Sequence, residues 1–553
     1  MKYPKIPLAQ SLLEICEAKG IQHIVISPGS RNAPLTLGFT NNPFFTCYSI
    51  ADERCAAFFA LGIAQQINKP VVVVCTSGSA VLNFYPAVAE AFYSMIPLVV
   101  ISADRPLDKV DIGDGQTIRQ ENVLANHTIY NANLTEIASE ENDIKINGAF
   151  NTAMLKSGPT HINVPFEEPL YEVVDSLSVD SLILPLIKEE EIVSLEEIFA
   201  ATNIWNTAKK KLILIGTMPP NTLDTAIINH LANDPSVVVL TETTSNVHHP
   251  NFIPHIDTLI TPFADADFVA FQPDILVTFG GMIVSKRIKS FLRKYQPKHH
   301  WHVDSHRAYN TFGCLTHHFK TTPQKFFEKF LLYVIYKDSY YQNYYLTILK
   351  DRLSKHETYL NKIDFCDLKV FEQLSTCFSD AIHLQISNSS AIRYTQLFKF
   401  NPSIPVFCNR GTSGIDGSTS TAIGAAVASQ KPTILITGDV SFFYDSNALW
   451  NNYMPKNFKI IVINNGGGGI FRILPGHQEN DTFHTYFETS HCLTAENLAK
   501  MYSMKYTKAS SIESLKQELT SFFGNSEQPQ ILEVFTPTYD NDKLLKDYFK
   551  NVV

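Results

Sequence analysis

Short apolar runs rich in β-branched residues recur along the whole chain, and each is followed by a turn and a stretch with helical spacing. The runs are apolar on both faces, which is typical of strands buried between helices in a parallel sheet. They fall into three clusters, and each cluster predicts one α/β domain. The predicted strands are Ile21–Ile26, Val71–Cys75 and Pro97–Ser102 in the first third, Leu212–Gly216, Ser236–Leu240, Asp274–Phe279 and Trp301–Asp304 in the middle, and Ile382–Ile386, Ile404–Cys408, Thr433–Thr437, Lys459–Ile463 and Ile531–Phe535 in the last third.

Two polar stretches separate these clusters and mark the expected domain boundaries. Phe166–Glu197 contains the acidic run Glu189–Glu191, and Lys337–Asp367 is rich in Tyr, Lys and Asp and is expected to be a partly helical linker. The length of 553 residues leaves room for three or four domains of ordinary size. The expected fold is α/β, with three doubly wound parallel-sheet domains in series over residues 1–182, 195–335 and 365–553.

Composition and charge narrow the class of protein. With 45% hydrophobic and 18% charged residues and a formal net charge of −9, the chain is expected to be globular and to bind neither nucleic acid nor an anionic membrane. No apolar stretch approaches the roughly 18–20 residues that span a bilayer, and Pro4 and Pro7 interrupt the start where a signal peptide needs an apolar core. The nine cysteines are scattered without a C-x-x-C pair, so we expect free thiols and a cytoplasmic location.

The sharpest candidate site follows two predicted strands in the last third. Thr433–Thr437 runs into Gly438–Ser441, and the next strand ends at Asn465 and a run of four glycines. Because the carboxyl ends of parallel strands meet at one edge of a sheet, both segments are expected to face one crevice. Oxygens of Asp439, Asn465 and Gly467 would suit Mg²⁺, with Mn²⁺ as an alternative, and glycines let the backbone approach a diphosphate. Each motif alone is also an ordinary turn.

Polar loops also follow the three strands predicted in the first third. Ser27–Asn32 follows the first, Thr76–Ser79 the second and Ser102–Pro106 the third, so we expect all of them at a single edge of the sheet. Glu53 opens the predicted helix Glu53–Ile67. A glutamate at this position ordinarily complements the helix dipole, and nothing local distinguishes that function from a catalytic one.

Taken together, these segments resemble the thiamine-diphosphate-dependent enzyme superfamily, and within it the carboligases of menaquinone biosynthesis. The matching motifs occur in the same order along both outer domains. In the middle domain only Ser285–Arg287 matches. The superfamily metal motif usually reads Gly-Asp-Gly, whereas this chain has Val440 in the third position. The motifs that carry the resemblance are Ile26–Arg31 with Pro34–Leu37, Asp52–Arg54 with Ala60–Gly62, Thr76–Gly78, Ala103–Pro106, Gln116–Gln120, Asn409–Gly411 with Ser413–Gly417, and Asn464–Gly467 with Ile470–Phe471.

The resemblance implies a transferase that decarboxylates 2-oxoglutarate on thiamine diphosphate and adds the succinyl carbanion to isochorismate. It implies a pyrimidine-binding first domain and a diphosphate-binding last domain. In the superfamily the cofactor lies between the first domain of one subunit and the last domain of its partner. We therefore expect at least a homodimer, with a homotetramer as the alternative.

The resemblance also implies roles for individual residues. Glu53 is expected to hydrogen-bond the aminopyrimidine ring of the cofactor and favour its imino tautomer, and Ile415 is expected to support the bent cofactor. Several arginines are needed because the two substrates carry four carboxylates, which guanidinium groups bind in a bidentate manner. The expected catalytic residues are Glu53, Ser30, Arg31 and Gln116; the metal ligands Asp439, Asn465 and Gly467; the other cofactor-binding residues Ile415, Gly438, Val440, Ser441 and Ile470; and the substrate-binding residues Ser30, Arg31, Arg105, Gln116, Lys286, Arg287, Ser389, Arg393, Arg410, Phe471 and Leu474.

Other functions remain open on the sequence alone. The chain could be another thiamine-diphosphate-dependent 2-oxoacid decarboxylase or carboligase, similar to acetohydroxyacid synthase, or a cofactor-binding regulatory protein without activity. An NAD(P) enzyme is disfavoured because no G-x-G-x-x-G follows Leu212–Gly216. The histidines of His299–His302 resemble a transition-metal site, but no Asp, Glu or Cys stands at a ligand spacing, so we expect no metal there.

Overall fold

Three six-stranded parallel sheets, one for each predicted cluster of strands, organise the molecule. The computed structural model describes residues 1–188, 193–473, 476 and 478–553; the acidic run Glu189–Glu191 and Leu474 lie outside the described residues. The sheets confirm the expected fold class, and each lies inside one of the three expected domain ranges, whose limits stay predictions. None of the helices in these ranges combines the length and the apolar composition needed to cross a membrane.

The first domain places helices on both faces of its sheet. Two short strands, Tyr3–Pro4 and Val173–Val174, pair antiparallel in a separate small sheet. Its helices are α1 (Pro7–Ala18), α2 (Ala33–Asn41), α3 (Glu53–Ile67), α4 (Ala80–Asn83), α5 (Tyr85–Ser94) and α6 (Glu140–Lys156), and its strands are β1 (Tyr3–Pro4), β2 (His23–Ile26), β3 (Thr46–Ser49), β4 (Val71–Cys75), β5 (Leu98–Asp104), β6 (Tyr130–Asn133), β7 (Thr160–Pro165) and β8 (Val173–Val174).

The middle domain begins with a helix whose Ser194 and Glu197 form a reciprocal capping box. Its helices are α7 (Leu195–Thr207), α8 (Thr225–Asn233), α9 (Ile256–Ile260), α10 (Asp265–Phe271), α11 (Lys286–Lys294) and α12 (Pro323–Phe330), and its strands are β9 (Lys211–Ile215), β10 (Val237–Leu240), β11 (Phe252–Ile253), β12 (Ile275–Phe279), β13 (His299–Val303) and β14 (Leu315–Phe319). The long helix α13 (Tyr341–Leu360) then fills most of the expected linker.

The last domain carries the glycine-rich segments at the ends of its strands. Its helices are α14 (Asp367–Cys377), α15 (Ser390–Thr395), α16 (Ser418–Ser429), α17 (Asp439–Tyr444), α18 (Glu496–Met501), α19 (Ile512–Phe522) and α20 (Asn541–Asn551), and its strands are β15 (His383–Ile386), β16 (Val406–Phe407), β17 (Thr433–Gly438), β18 (Lys459–Asn464), β19 (Lys505–Ala509) and β20 (Gln530–Phe535).

Strand order distinguishes the outer domains from the middle one. The first sheet runs β3-β2-β4-β5-β7-β6 and the last runs β16-β15-β17-β18-β20-β19, so both follow the order 2-1-3-4-6-5 when strands are numbered within their own sheet. The middle sheet runs β11-β10-β9-β12-β13-β14, the order typical of dinucleotide-binding folds. The outer domains therefore share one sheet topology, and the middle domain has a different topology.

One hydrophobic core joins the outer domains. Buried side chains of α3, such as Phe59 and Ile63, belong to the same cluster as Ala422 and Ile423 of α16. The two helices approach closely because each has a glycine at the contact. A Cβ atom at Gly62 would overlap the carbonyl oxygen of Thr421, and one at Gly424 would overlap that of Phe59.

Replacing Gly62 by alanine tests this close approach. In an unconstrained helix the change would stabilise by about 1 kcal/mol, but here the added methyl meets backbone that a side-chain rotation cannot move. We expect Gly62→Ala to lower the free energy of unfolding by about 2 kcal/mol or more, as measured by urea denaturation. Gly115→Ala, at a loop position where a Cβ meets nothing within 4 Å, is the matched control. Equal stability of G62A and the wild type would contradict the proposed packing.

Candidate active site

Three neighbouring strands of the last domain end at one cleft. β17 pairs in parallel with both β15 and β18, so the segments after these strands emerge at the same edge of the sheet. The strand order reverses between β15 and β17, which is where open α/β sheets bind ligands. The cleft has a volume of about 320 Å³. The residues that line it include Ser389, Asp439, Asn465 and Gly467.

Asp439 places a buried carboxylate in this cleft. It is 3% exposed, and its Oδ2 atom accepts hydrogen bonds from the backbone N–H groups of Gly466 at 2.9 Å and Gly467 at 3.1 Å. Its Oδ1 atom accepts from the N–H of Val440. His491 Nε2 lies 3.4 Å from Oδ2, and this contact with Asp439 raises the pKa of the histidine. A carboxylate has about four lone-pair positions, so these bonds leave capacity for a cation.

Asn465 is oriented by a second buried carboxylate that the sequence motifs did not indicate. Its Nδ2 donates to Oδ2 of Asp367 at 3.1 Å, and Thr536 Oγ1 donates to the other oxygen of Asp367 at 2.6 Å. Burial raises the pKa of Asp367 to about 6. Because the NH₂ group of Asn465 is engaged in this way, its amide oxygen is the atom presented as a ligand. Asp367 stands at the start of a helix with no motif around it, so only tertiary structure identifies its role.

Gly438 leaves room for a ligand to approach the backbone, and the position of Gly467 requires a glycine. Gly467 has a φ of +152°, and a Cβ there would lie 2.8 Å from the carbonyl oxygen of Glu488, whereas a Cβ at Gly438 would meet nothing within 4 Å. Ile415 lines the cleft, and its carbonyl oxygen accepts a hydrogen bond from Ser441 Oγ at 2.7 Å. The donors and the open glycine face therefore suit a divalent cation bound to a phosphate group.

Aromatic side chains form the apolar wall of the cleft. Ile470 and Phe471 line it as the sequence predicted, and Tyr486 and Phe487 line it as well. The latter two lie on a single turn of π-helix, Phe483–Glu488, which periodicity arguments do not detect. The buried Arg472 forms an ion pair with Glu488 and thereby holds this turn against the segment that carries Phe471.

Two predicted arginines meet behind the cleft. Arg410 is buried, and its Nη1 donates to Asn388 Oδ1 at 2.7 Å. Burial and the charge of Arg410 lower the pKa of Arg393. Within the described ranges, the Nε atoms of both arginines are buried and have no hydrogen-bond partner. Buried guanidinium groups with unpaired donors and like charge nearby favour an anionic ligand.

Neighbouring groups set the position of these arginines. Glu90, on α5 of the first domain, accepts hydrogen bonds from the N–H groups of Gly411 and Thr412 at 2.7 Å. Ser389 has a φ of +67°, a strained conformation that non-glycine residues adopt chiefly at functional sites. Lys289 is a cation that the motifs did not indicate; its pKa is lowered by burial and by Arg410.

Lys286 and Arg287 lie at the start of α11 and are both exposed. Arg287 places its guanidinium over the ring of Phe549, 4.7 Å from the ring centroid. Neither residue is among those lining the cleft. In this single chain the structure therefore does not bring them to Asp439, and their role in substrate binding stays a prediction.

The remaining predicted residues form a first-domain group at the carboxyl edge of its sheet: Ser30, Arg31, Glu53, Arg105 and Gln116. Asp52 caps α3 by accepting from the N–H of Cys55, which places Glu53 in the first turn. Ser30 and Gln116 are exposed, and Arg31 is buried. Within the described part of the chain, every residue that lines the cleft comes from the last domain, so this group and the cleft are separate in one chain.

Two histidines of β13 are hydrogen-bonded to one threonine of the neighbouring strand. His300 Nε2 and His302 Nδ1 both hydrogen-bond to Thr278 Oγ1, at 2.9 and 2.8 Å, and burial lowers the pKa of each histidine to about 4. No group of three or more His, Cys, Asp or Glu side chains suited to a metal occurs among the residues that the structure describes.

Comparisons with known proteins agree with this geometry. Residues 6–127 match the family model "Thiamine pyrophosphate enzyme, N-terminal TPP binding domain", residues 185–384 the model "Middle domain of thiamine pyrophosphate", and residues 389–534 the model "Thiamine pyrophosphate enzyme, C-terminal TPP binding domain".

Curated relatives are similar over the whole length. Proteins named 2-succinyl-5-enolpyruvyl-6-hydroxy-3-cyclohexene-1-carboxylate synthase from Flavobacterium psychrophilum and Flavobacterium johnsoniae are 66% and 64% identical, with 100% of both chains covered in each comparison. A protein of the same name from Porphyromonas gingivalis is 37% identical, with 97% of this chain and 96% of the relative covered.

Glu242 generates a pH prediction for the region behind the cleft. It is buried and accepts from the N–H groups of Val284 and Ser285 at 2.7 Å, and burial raises its pKa from 4.5 to about 7, although the charge of Arg410 opposes the shift. Because folding raises the pKa of this carboxyl, its contribution to the free energy of unfolding is fully present below pH 4.5. The contribution is lost as the pH rises through about 7.

In the wild type, this titration should lower the free energy of unfolding by up to about 3 kcal/mol as the pH rises from 4.5 to about 7. We expect Glu242→Gln to abolish this decrease. Urea unfolding of both proteins between pH 5 and pH 8 measures it, and only the slopes are compared, because the substitution also alters hydrogen bonds. Parallel stability curves for the wild type and E242Q would contradict the raised pKa.

Proposed function

The chain belongs to the 2-succinyl-5-enolpyruvyl-6-hydroxy-3-cyclohexene-1-carboxylate synthase family of thiamine pyrophosphate enzymes, and we propose that it decarboxylates 2-oxoglutarate and joins the succinyl unit to isochorismate in menaquinone synthesis. The observation that carries this proposal is the full-length identity to proteins of that name, together with a cleft that collects Asp439, Asn465 and Gly467. The chain is then a transferase acting on small molecules.

Thiamine diphosphate supplies a carbon nucleophile and an electron sink for the loss of CO₂ from a 2-oxo acid. The chain's own residues hold it. Asp439, Asn465 and the backbone of Gly467 would provide oxygens for the Mg²⁺, or Mn²⁺ as the alternative, that accompanies its diphosphate. The open backbone at Gly438 and the side chain of Ile415 form the surface against which it packs, and Val440, Ser441 and Ile470 complete that surface.

Substrate carboxylates bind to the buried guanidinium groups. Arg393 and Arg410 each offer an Nε–H without a protein partner among the described residues, and Ser389 adds a hydroxyl at the same edge. Phe471 covers the apolar ring of isochorismate. The first-domain group adds Ser30, Arg31, Arg105 and Gln116, so cations from two domains neutralise the anionic substrates.

Glu53 is the proposed acid–base group. With the cofactor bound, its carboxylate would hydrogen-bond a ring nitrogen and would hold or release a proton there as a general acid–base group. In the single chain Glu53 Oε2 accepts only a long hydrogen bond of 3.3 Å from Asn83 among the bonds that the structure describes. That leaves its carboxylate able to engage a ligand.

Two copies of the chain are proposed to build each active site. The cleft with Asp439 and the first-domain group with Glu53 are separate in one chain, and large apolar side chains near both are exposed, including Tyr444, Trp450 and Phe487. Exposed apolar patches of this kind mark interfaces. A homodimer brings the two halves together, and a homotetramer contains such dimers.

Incubation of the purified chain with 2-oxoglutarate and isochorismate tests the activity. We expect CO₂ release and formation of the joined product, both dependent on thiamine diphosphate and Mg²⁺. Pyruvate in place of 2-oxoglutarate is the matched control and should react poorly, since it lacks the second carboxylate that the arginines bind. Cofactor-dependent CO₂ release that is indifferent to isochorismate, or that proceeds equally well with pyruvate, would instead indicate a generic 2-oxoacid decarboxylase.

Mixing two inactive variants tests the shared site. Glu53→Gln and Asp439→Asn should each lose activity by about 10²-fold or more. In a mixed dimer, one of the two sites receives both altered residues and the other receives neither. Unfolding and refolding an equal mixture should therefore restore about one quarter of the wild-type activity. No recovery, despite mixed dimers confirmed by differential tags, would show that the site lies within one chain.

A further inference from the structure

Arg31, a predicted substrate-binding residue of the first-domain group, already has a carboxylate bound. Its Nη2 lies 3.2 Å from Oε1 of Glu168. The two partners differ sharply in burial, since the side chain of Arg31 is 4% exposed and that of Glu168 is 67% exposed. The Arg31 guanidinium is also held independently, because its Nη1 donates to the carbonyl oxygen of Phe166 at 2.9 Å. Arg31 therefore has a second anchor besides Glu168.

Arg105 shows the same arrangement. Its Nη1 lies 3.3 Å from Oδ2 of Asp114, the arginine side chain being largely buried and the aspartate more exposed. Asp114 belongs to the loop that precedes Gln116, and its backbone and Oδ1 also bond within that loop. Both arginines follow strands of one sheet, β2 and β5, which are separated only by β4. Two internal carboxylates thus occupy two guanidinium groups that follow strands of the same sheet.

We propose that Glu168 and Asp114 are internal competitors that occupy the carboxylate-binding positions of Arg31 and Arg105 until a substrate displaces them. This inference rests on the proposed function. A ligand with one carboxylate can replace only one of the two internal partners. A dicarboxylate replaces both, and its second contact is intramolecular once the first has formed. Each displacement weakens binding, so the internal carboxylates weaken the binding of all anions and that of dicarboxylates most.

The expected size follows from the exposure of the competing groups. Ion pairs with a solvent-exposed partner contribute little, so each internal carboxylate should weaken substrate binding by about two- to fivefold. The exposed carboxylate of each ion pair can move away into solvent, whereas the buried guanidinium group stays in place. Competition of this kind raises KM and leaves kcat unchanged, because the internal carboxylate has left by the time the substrate is bound.

Kinetics of the holoenzyme variants Glu168→Gln and Asp114→Asn test the proposal. Each change removes one charge at constant size, and each retains an oxygen acceptor. We expect KM for one or both substrates to fall about two- to fivefold in each variant, kcat to stay within about twofold, and the preference for 2-oxoglutarate over pyruvate not to decrease. Glu167→Gln is the matched control: Glu167 is exposed, its Oε1 accepts from the N–H of Glu168, and that acceptor is retained.

The sign of the effect separates competition from a supporting role. A residue that merely holds Arg31 in place would raise KM when removed, so an increased or unchanged KM in E168Q and D114N overturns the proposal. Calorimetric binding of succinate, an unreactive dicarboxylate, gives a readout without turnover. Tighter succinate binding in both variants supports the competition even if the proposed reaction is not observed. If the wild type is active and binds succinate as tightly as the variants do, the competition is refuted and the proposed function is retained.

Discussion

The packing of α3 against α16 is the contact on which the arrangement of both halves of the site depends. It joins the first and last domains through one hydrophobic core, and glycines at the crossing let the two backbones touch. Hydrogen bonds between the two domains extend this contact to the start of α3. Arg54 donates to the carbonyl oxygen of Tyr444, and Asn447 donates to Asp52. The residue that opens α3 is Glu53, and the helix that ends at Tyr444 begins with Asp439, so the position of each depends on this contact.

Buried carboxylates position the cationic groups. Glu90 crosses from the first domain to hold the backbone after Arg410, Asp367 orients Asn465, and Glu242 faces Arg410 from the middle domain. Leaving such groups buried and unpaired costs several times more than an ordinary hydrogen bond contributes. The domains are therefore held in register by charge as well as by apolar packing, and the middle domain contributes to the electrostatics behind the cleft.

Prediction from the sequence succeeded where a single chemical signal was strong. The apolar runs at Val71–Cys75 and Lys459–Ile463 correspond to β4 and β18 within a residue at each end, and helix α3 has the predicted bounds. The strands β3, β6 and β19 were missed because they lie at or near sheet edges and carry polar residues, which removes the apolar pattern. Asp367, Lys289 and Phe487 were missed because no local motif accompanies them.

What the sequence by itself determined is the set of strand-end motifs, since parallel strands must present their carboxyl ends at one edge. That reasoning sufficed to group Asp439 with Asn465 and Gly467, and to place Arg31 with Arg105. Only the tertiary structure decided that these groups occupy separate places in one chain, that Lys286 and Arg287 face outward, and that Arg31 is already paired. Those facts depend on distances between residues far apart in sequence, and on burial, and no local pattern of residue types encodes either of them.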